Sequence, residues 1–117
     1  MLELGKQAEH KALVFLEEKG LALILQNYRC RMGEIDLIMR DGQYLVFIEV
    51  RSRKRNEYGG GIESITYSKQ KKIMTATQHY LTQFRLAEKH PIRFDVISID
   101  GRSGNVTWLK DAFRDDF

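Results

Sequence analysis

The sequence predicts an α/β fold with the element order α-β-β-β-α-β, in which helices flank a mixed central sheet. Three observations support this prediction. Apolar residues recur at helical spacing in two long segments, four shorter segments have strand-like patterns, and a helix separates the third strand from the fourth. A strand, a helix and a strand in succession imply a right-handed parallel crossover. The 117 residues suffice for a single domain, residues 1–117, with one sizeable core.

The two predicted helices lie at the start and in the second half of the chain. The first spans residues 4–19 and ends at Gly20, a residue type that favours the position after a helix. Glu9 lies at the edge of its buried stripe. The second helix spans about residues 68–89, and the pair His90-Pro91 ends it because proline cannot continue a helix.

The predicted strands are residues 21–28, 33–40, 43–51 and 92–100, with a short fifth strand at 106–109. Asp41-Gly42 is a strong signal for a two-residue hairpin loop between the second and third strands. The third strand is nearly all apolar from Tyr44 to Val50, which predicts burial on both faces and a central place in the sheet. Residues 52–62 contain basic residues and three glycines and are predicted to form a loop.

Composition excludes several classes of protein. Hydrophobic residues make up 43% of the chain and charged residues 30%, which argues against wholesale disorder. The longest apolar run, residues 21–25, is far shorter than the roughly 20 residues that a membrane-spanning helix needs. The N-terminus shows no secretory signal, and Cys30 has no partner cysteine, so we expect a cytoplasmic protein. The net charge of +3 permits a polyanionic partner without requiring one.

The hairpin between the second and third strands brings acidic residues together. If Asp41 and Gly42 form its loop, Glu34 lies opposite Glu49, and Asp36 lies diagonal to Glu49. Regular alternation then places Glu34, Asp36, Glu49 and Arg51 on one face. Carboxylates between apolar neighbours are costly unless they are compensated.

Two explanations for these carboxylates are open. In the first, Glu49 pairs with Arg51 or another cation as a structural ion pair. Alternatively, Asp36 and Glu49, with Glu9 from the first helix, surround a divalent cation, for which oxygen ligands favour Mg²⁺ or Mn²⁺.

Several segments make the sequence resemble a known family. The central ones are Gly33-Glu34-Ile35-Asp36-Leu37-Ile38 and Phe47-Ile48-Glu49-Val50-Arg51-Ser52-Arg53, and shorter matches include Lys69-x-x-Lys72-Ile73 and Arg93-Phe94-Asp95-Val96. The chain closely resembles, over nearly its whole length, the uncharacterised YraN-like family of bacteria. That family looks like a branch of the restriction-endonuclease-like superfamily, similar to archaeal Holliday-junction resolvases. The resemblance therefore implies a restriction-endonuclease-like core.

The resemblance also implies roles for individual residues. The superfamily pattern has an acidic residue on the second core strand, Glu-x-Lys on the third and a glutamate on the first helix. Asp36 and Glu49 match the metal ligands, with the Val50 carbonyl as a further ligand, and Glu9 matches the helix glutamate that holds a metal-bound water. Arg51 stands where the pattern has lysine. Arginine cannot act as a base, but it can stabilise a pentavalent phosphate. Lys69 or Lys72 could replace the missing lysine.

The function implied is that of a Mg²⁺- or Mn²⁺-dependent nuclease acting on branched, single-stranded or duplex DNA. Basic residues flank the acidic pair and are candidates for phosphate contacts: Arg53, Lys54, Arg55, Lys69 and Lys72. Because Arg51 departs from the pattern, an inactive protein of the same fold, which binds nucleic acid or a DNA-processing partner, is the alternative. Resolvases act as symmetric dimers, which makes a homodimer an expectation of the resemblance.

Overall fold

The computed structural model describes residues 2–53, 65–86 and 88–114, and it shows a mixed α/β fold. The element order is α1 (Leu2–Glu18), β1 (Ala22–Cys30), β2 (Gly33–Asp41), β3 (Tyr44–Arg53), α2 (Tyr67–Gln83), β4 (Ile92–Asp100) and β5 (Val106–Phe113). The predicted order of helices and strands is confirmed at this level. Most of the loop predicted at 52–62 lies outside the described residues. Neither described helix combines the length and the apolar character that crossing a membrane requires.

The five strands form one sheet in the order β1-β2-β3-β4-β5. β3 and β4 are parallel, as the intervening helix predicts, and the other neighbours are antiparallel. β3 is therefore the central strand, which explains why residues 45–48 are all buried.

Each helix covers one face of the sheet. Ala12 and Leu16 of α1 pack with Leu37, Val46 and Ile97 in what we call the α1-side core. On the opposite face, residues of α2 pack with the sheet in the α2-side core, whose members include Ile35, Ile38, Phe47, Ile73 and Tyr80. Neighbouring residues of β3 contribute to opposite cores, as expected for a strand that is buried on both faces.

The hairpin loop between β2 and β3 lies one residue later than predicted, which shifts the pairing of the two strands by two residues. Asp41 pairs with Tyr44, so Gly42 and Gln43 form the loop. Gly42 has φ 61, and a glycine with positive φ at the first loop position suits a type II′ turn. Leu37 therefore pairs with Ile48, instead of the partner expected from an Asp41-Gly42 loop. A shift of two residues keeps the same side chains on the same face.

The second helix ends earlier than predicted. Its C-cap is Phe84, and Arg85 adopts the left-handed conformation with φ 56. The N–H of Leu86 donates to the carbonyl of Leu81 at 2.8 Å, and Leu86 packs against the α2-side core. This is a Schellman motif with its usual hydrophobic contact, formed here without glycine. The helix therefore ends well before Pro91.

The last strand is longer than predicted and completes a buried polar network. Asp95 of β4 is fully buried and accepts two hydrogen bonds of 2.9 Å from Arg93. From β5, the Trp108 indole N–H and the Asp111 backbone N–H donate to the same carboxylate at 3.0 and 2.9 Å. These donors compensate a charge that would otherwise be costly to bury. The network joins β5 to the sheet beyond Leu109, where the prediction ended.

Candidate functional site

Several of the residues predicted to carry chemistry line a cavity of about 550 Å³ between the sheet and the first turns of α2, which we call the acidic cavity. Its charged lining residues are Glu34, Asp36, Glu49, Arg51, Lys69 and Lys72. Val50 also lines it. Among the described residues, β2, β3 and α2 thus contribute three carboxylates and three cations to the cavity.

The helix approaches the sheet closely at this cavity. Thr66 is the N-cap of α2, and its side-chain oxygen accepts the backbone N–H of Lys69 at 3.1 Å. A Cβ atom at Gly33 would lie 3.3 Å from the Lys72 carbonyl oxygen, so a larger residue there would push α2 away. The positive end of the α2 dipole therefore adds to the charge of the lysines beside the cavity.

β2 is irregular at Asp36. Along β1 and β2, Ile35 pairs with Tyr28 and Leu37 with Gln26, whereas Asp36 has no partner in the register. Asn27, which would be that partner, has φ 53. Ile35 and Leu37 also pack in different cores, although alternation would place both on one face. The predicted regular alternation along β2 fails at this point, yet the predicted set still lines one cavity: Glu34, Asp36, Glu49 and Arg51.

Asp36 is nevertheless held next to β3. Its Oδ2 accepts the backbone N–H of Val50 at 2.8 Å. The contact connects the irregular part of β2 to the central strand, just beyond the Leu37–Ile48 pair where the described register ends. It places the Asp36 carboxylate beside Glu49. This contact uses the N–H of Val50. The predicted metal ligand is a different group of the same residue, its carbonyl.

The acidic pair strongly disfavours two simultaneous negative charges. Burial, followed by the charge of Glu49, raises the pKa of Asp36 to about 7, although the hydrogen bond from the Val50 N–H acts in the opposite direction. Burial also raises the pKa of Glu9, and the charges of Glu34 and Glu49 contribute to that rise. A hydrogen bond from Asn27 opposes it. Asp36 is therefore partly protonated near neutral pH.

Glu49 is buried and is compensated by two cations. Only 6% of its surface is exposed. Its Oε2 lies 2.9 Å from the Lys69 Nζ and 3.5 Å from an Arg51 guanidinium nitrogen. Both ion pairs agree with the structural explanation of this carboxylate. Lys69 is the nearer of the two cations.

The remaining described candidates, Glu9 and Arg53, do not line the cavity. Glu9 lies on α1, which covers the opposite face of the sheet, although its charge contributes to the raised pKa of Asp36. Arg53 pairs with Asp100 at 3.0 Å and does not line the cavity either. Lys54 and Arg55 lie outside the described residues.

The donor chemistry of the cavity fits Mg²⁺ or Mn²⁺ only as an open site. The described residues contain no group of three or more His, Cys, Asp and Glu side chains that could hold a metal ion. Asp36 and Glu49 are the two carboxylates proposed as ligands, and Mg²⁺ typically uses one or two, together with waters and substrate phosphates. A cation at Glu49 would have to share the carboxylate with Lys69. Asp36, whose charge is poorly compensated, is the stronger candidate ligand.

Sequence reasoning missed the Thr66 hydroxyl, Ser68 and Gly33 as lining residues. The signal for Thr66 was available, since a threonine directly before a helical segment is a common N-cap. The close approach of Gly33 depends on how α2 docks on the sheet.

Comparison with known proteins shows which family this chain is similar to. The model of the uncharacterised protein family UPF0102 matches residues 8–99. A UPF0102 protein of Legionella pneumophila (strain Corby) is 64% identical over 111 residues, covering 95% of this chain and 94% of its own. Another, of Nitrosococcus oceani, is 50% identical over 112 residues, covering 94% and 90%. These names state no activity, ligand or partner. The chain belongs to the uncharacterised protein family UPF0102.

Proposed function

We propose that the protein is a Mg²⁺- or Mn²⁺-dependent nuclease that acts on DNA, with a restriction-endonuclease-like core and the acidic cavity as its active site. One observation carries the proposal: the buried Glu49 and the part-buried Asp36 share a cavity with the cations Arg51, Lys69 and Lys72. Phosphodiester hydrolysis needs an activated water and compensation of the charge on the phosphate. A site of mixed charge suits both needs.

Asp36 and Glu49 would hold the divalent ion in this proposal, with the Val50 carbonyl as a further ligand. When bound, the ion supplies Lewis-acid polarisation of the phosphate and lowers the pKa of a coordinated water. Because burial and Glu49 hold the pKa of Asp36 at about 7, metal binding competes with a proton at this carboxylate. Glu9 would hold a metal-bound water, and the contribution of its charge to the raised pKa of Asp36 supports its placement near the site.

The cations of the cavity would bind the scissile phosphate. Arg51 is part-buried beside Glu49 and can donate two parallel hydrogen bonds to phosphate oxygens. Lys69 lies 2.9 Å from Glu49 and is the candidate for the role that lysine has in the superfamily pattern. Lys72 lines the same cavity and adds charge where the DNA backbone would enter.

A non-catalytic protein of the same fold, which binds nucleic acid or a DNA-processing partner, is the second candidate. A specific observation favours it: Lys69 and Arg51 already compensate Glu49 without a metal. In that case Lys69 and Arg51 stabilise the fold by pairing with Glu49. DNA binding would then rely on Lys72 and the basic residues outside the cavity.

A cleavage screen separates the two candidates. Duplex, flap, junction and single-stranded DNA are incubated with wild type and Asp36→Asn, with Mn²⁺, Mg²⁺ or EDTA. The nuclease proposal predicts metal-dependent cutting that Asp36→Asn abolishes. Asp41→Asn is the matched control, because Asp41 lies on the same strand but pairs with Arg93 at 3.0 Å, away from the cavity. Cutting that persists in Asp36→Asn would contradict the assigned site. Absence of cutting on all four substrates would favour the non-catalytic candidate.

A further inference from the structure

A second cavity adjoins the acidic cavity along α2. It has a volume of about 510 Å³, and Ser68 and Lys72 line both cavities. Its remaining lining includes Arg31, Met32, Tyr67 and Lys71. We call it the platform cavity. Ser68 and Lys72 are one helical turn apart, so a ligand can extend from one cavity into the other over about 5–6 Å.

Two unusually exposed apolar side chains meet at the platform cavity. Tyr67 is 59% exposed and Met32 57%, the two highest values among the large hydrophobic residues that the structure describes. Single exposed apolar residues are ordinary, but two that line one cavity indicate a surface that something covers. Tyr67 begins α2 and Met32 lies in the turn between β1 and β2, so both are placed by rigid neighbours.

The described charged residues that line the platform cavity are all basic. Arg31, Lys71 and Lys72 line the cavity, and no carboxylate does so among the described residues. The Lys71 Nζ lies 5.4 Å from the centre of the Tyr67 ring. This lining is opposite in charge to the carboxylates of the acidic cavity. A ligand that fits it has a flat apolar group next to negative charge.

We propose that the platform cavity holds an unpaired nucleobase, stacked on Tyr67 and in contact with Met32, while Arg31, Lys71 and Lys72 bind the flanking phosphates. Aromatic side chains in a basic groove are the usual means of binding single strands. A base inside a duplex is already stacked and cannot reach such a platform. The inference rests on the proposed function for the acidic cavity, and it names the substrate class as DNA with a single-stranded segment beside the scissile phosphate.

Binding without cleavage tests the platform independently of catalysis. Fluorescence anisotropy in EDTA measures the affinity of wild type, Tyr67→Ala and Tyr67→Phe for a 12-nucleotide oligothymidine and for an abasic oligonucleotide of the same length. Tyr67→Ala loses the stacking on one base. Its affinity for oligothymidine should therefore be lower than that of wild type by about fivefold or more. Binding of the abasic strand should not change, and Tyr67→Phe should bind as wild type does.

Tyr44→Ala is the matched control. Tyr44 is also an exposed tyrosine, at 43%, with a cation above its ring, but it begins β3 and lines a different cavity. This variant should bind both oligonucleotides as wild type does. Because Tyr67 is exposed, Tyr67→Ala should fold, and its thermal unfolding provides the check.

Several results would overturn the platform: wild type that binds neither strand, wild type that binds both equally, or Tyr67→Ala that loses affinity for both alike. A preference for blunt duplex over oligothymidine would also overturn it. The fate of the nuclease proposal is decided separately by Asp36-dependent cutting. If Tyr67-dependent base binding occurs without any cutting, the platform is supported and the nuclease is not. If cutting depends on Asp36 but binding does not depend on Tyr67, the nuclease is supported and the platform is not.

Discussion

Replacing Asp36 by asparagine should stabilise the metal-free protein at alkaline pH. The ordinary pKa of an aspartate is 3.8, and burial beside Glu49 raises that of Asp36 to about 7. The difference corresponds to roughly 4 kcal/mol of penalty for holding Asp36 ionised in the folded protein. The amide of Asp36→Asn carries no charge and still offers an oxygen to the Val50 N–H. We therefore expect most of this penalty to be relieved.

The free energy of unfolding depends on pH because Asp36 holds its proton more tightly in the folded protein than in the unfolded chain. Between about pH 4 and pH 7 the unfolded chain has lost the Asp36 proton, whereas the folded protein still holds it. The folded state binds more protons in this range, so this residue lowers the free energy of unfolding as pH rises. Below about pH 4 both states are protonated and the penalty vanishes, and above about pH 7 it is constant. Asp36→Asn lacks this contribution.

Urea unfolding in EDTA at about pH 4.5 and pH 8 measures the effect. The stability advantage of Asp36→Asn over wild type should grow by about 3 kcal/mol between these two pH values. Asp41→Asn is the control, because it removes a carboxylate that pairs favourably with Arg93, and it should lower stability at both pH values.

The electrostatic argument for Asp36 would be refuted by either of two results. The stability advantage of Asp36→Asn does not change with pH, or Asp36→Asn is less stable than wild type at pH 8. Adding Mn²⁺ at pH 8 extends the test to the proposed metal site. It should stabilise wild type and leave Asp36→Asn unchanged.

Three further predictions concern single residues. If the protein cuts DNA, Arg51→Ala should slow cleavage by about 10²–10³-fold and Arg51→Lys should retain or raise it, as single-turnover assays would measure. Asp95→Asn should lower the free energy of unfolding by about 3–5 kcal/mol, because it leaves the Arg93 guanidinium without its buried partner; a smaller loss in urea unfolding would mean that water replaces the pair. Arg85→Gly should raise the stability by about 0.5–1 kcal/mol because glycine adopts positive φ without strain, whereas Arg85→Ala should give no gain.

The fold was predictable where residue patterns are local. Apolar spacing located both helices, and the continuous apolar run in β3 correctly predicted the central strand. Errors arose where tertiary contacts decide. Arg85 ends α2 without glycine because Leu86 packs on the α2-side core, which no local pattern reveals. β5 continues past Leu109 because Asp95 accepts the Asp111 N–H.

The candidate site was predictable in its acidic residues and less so in its surroundings. Asp36 and Glu49 stand out because a carboxylate within an apolar strand needs a reason. The irregularity of β2 at Asp36 could not be foreseen, since it involves the unusual conformation of Asn27 on another strand. Tyr67 and Met32 are 35 positions apart, and only the docking of α2 beside the β1–β2 turn brings them together.

The way Asp95 is satisfied has a consequence for shortening the chain. The family match ends at residue 99, before β5 begins at Val106. Residues 8–99 alone would lack the Trp108 and Asp111 donors of Asp95 and would turn β4 into an uncovered edge strand. Uncovered edges pair with other chains and aggregate. The residues that the family model matches are therefore fewer than those that complete the sheet of this chain, and we expect a fragment of residues 8–99 to aggregate where the full chain does not.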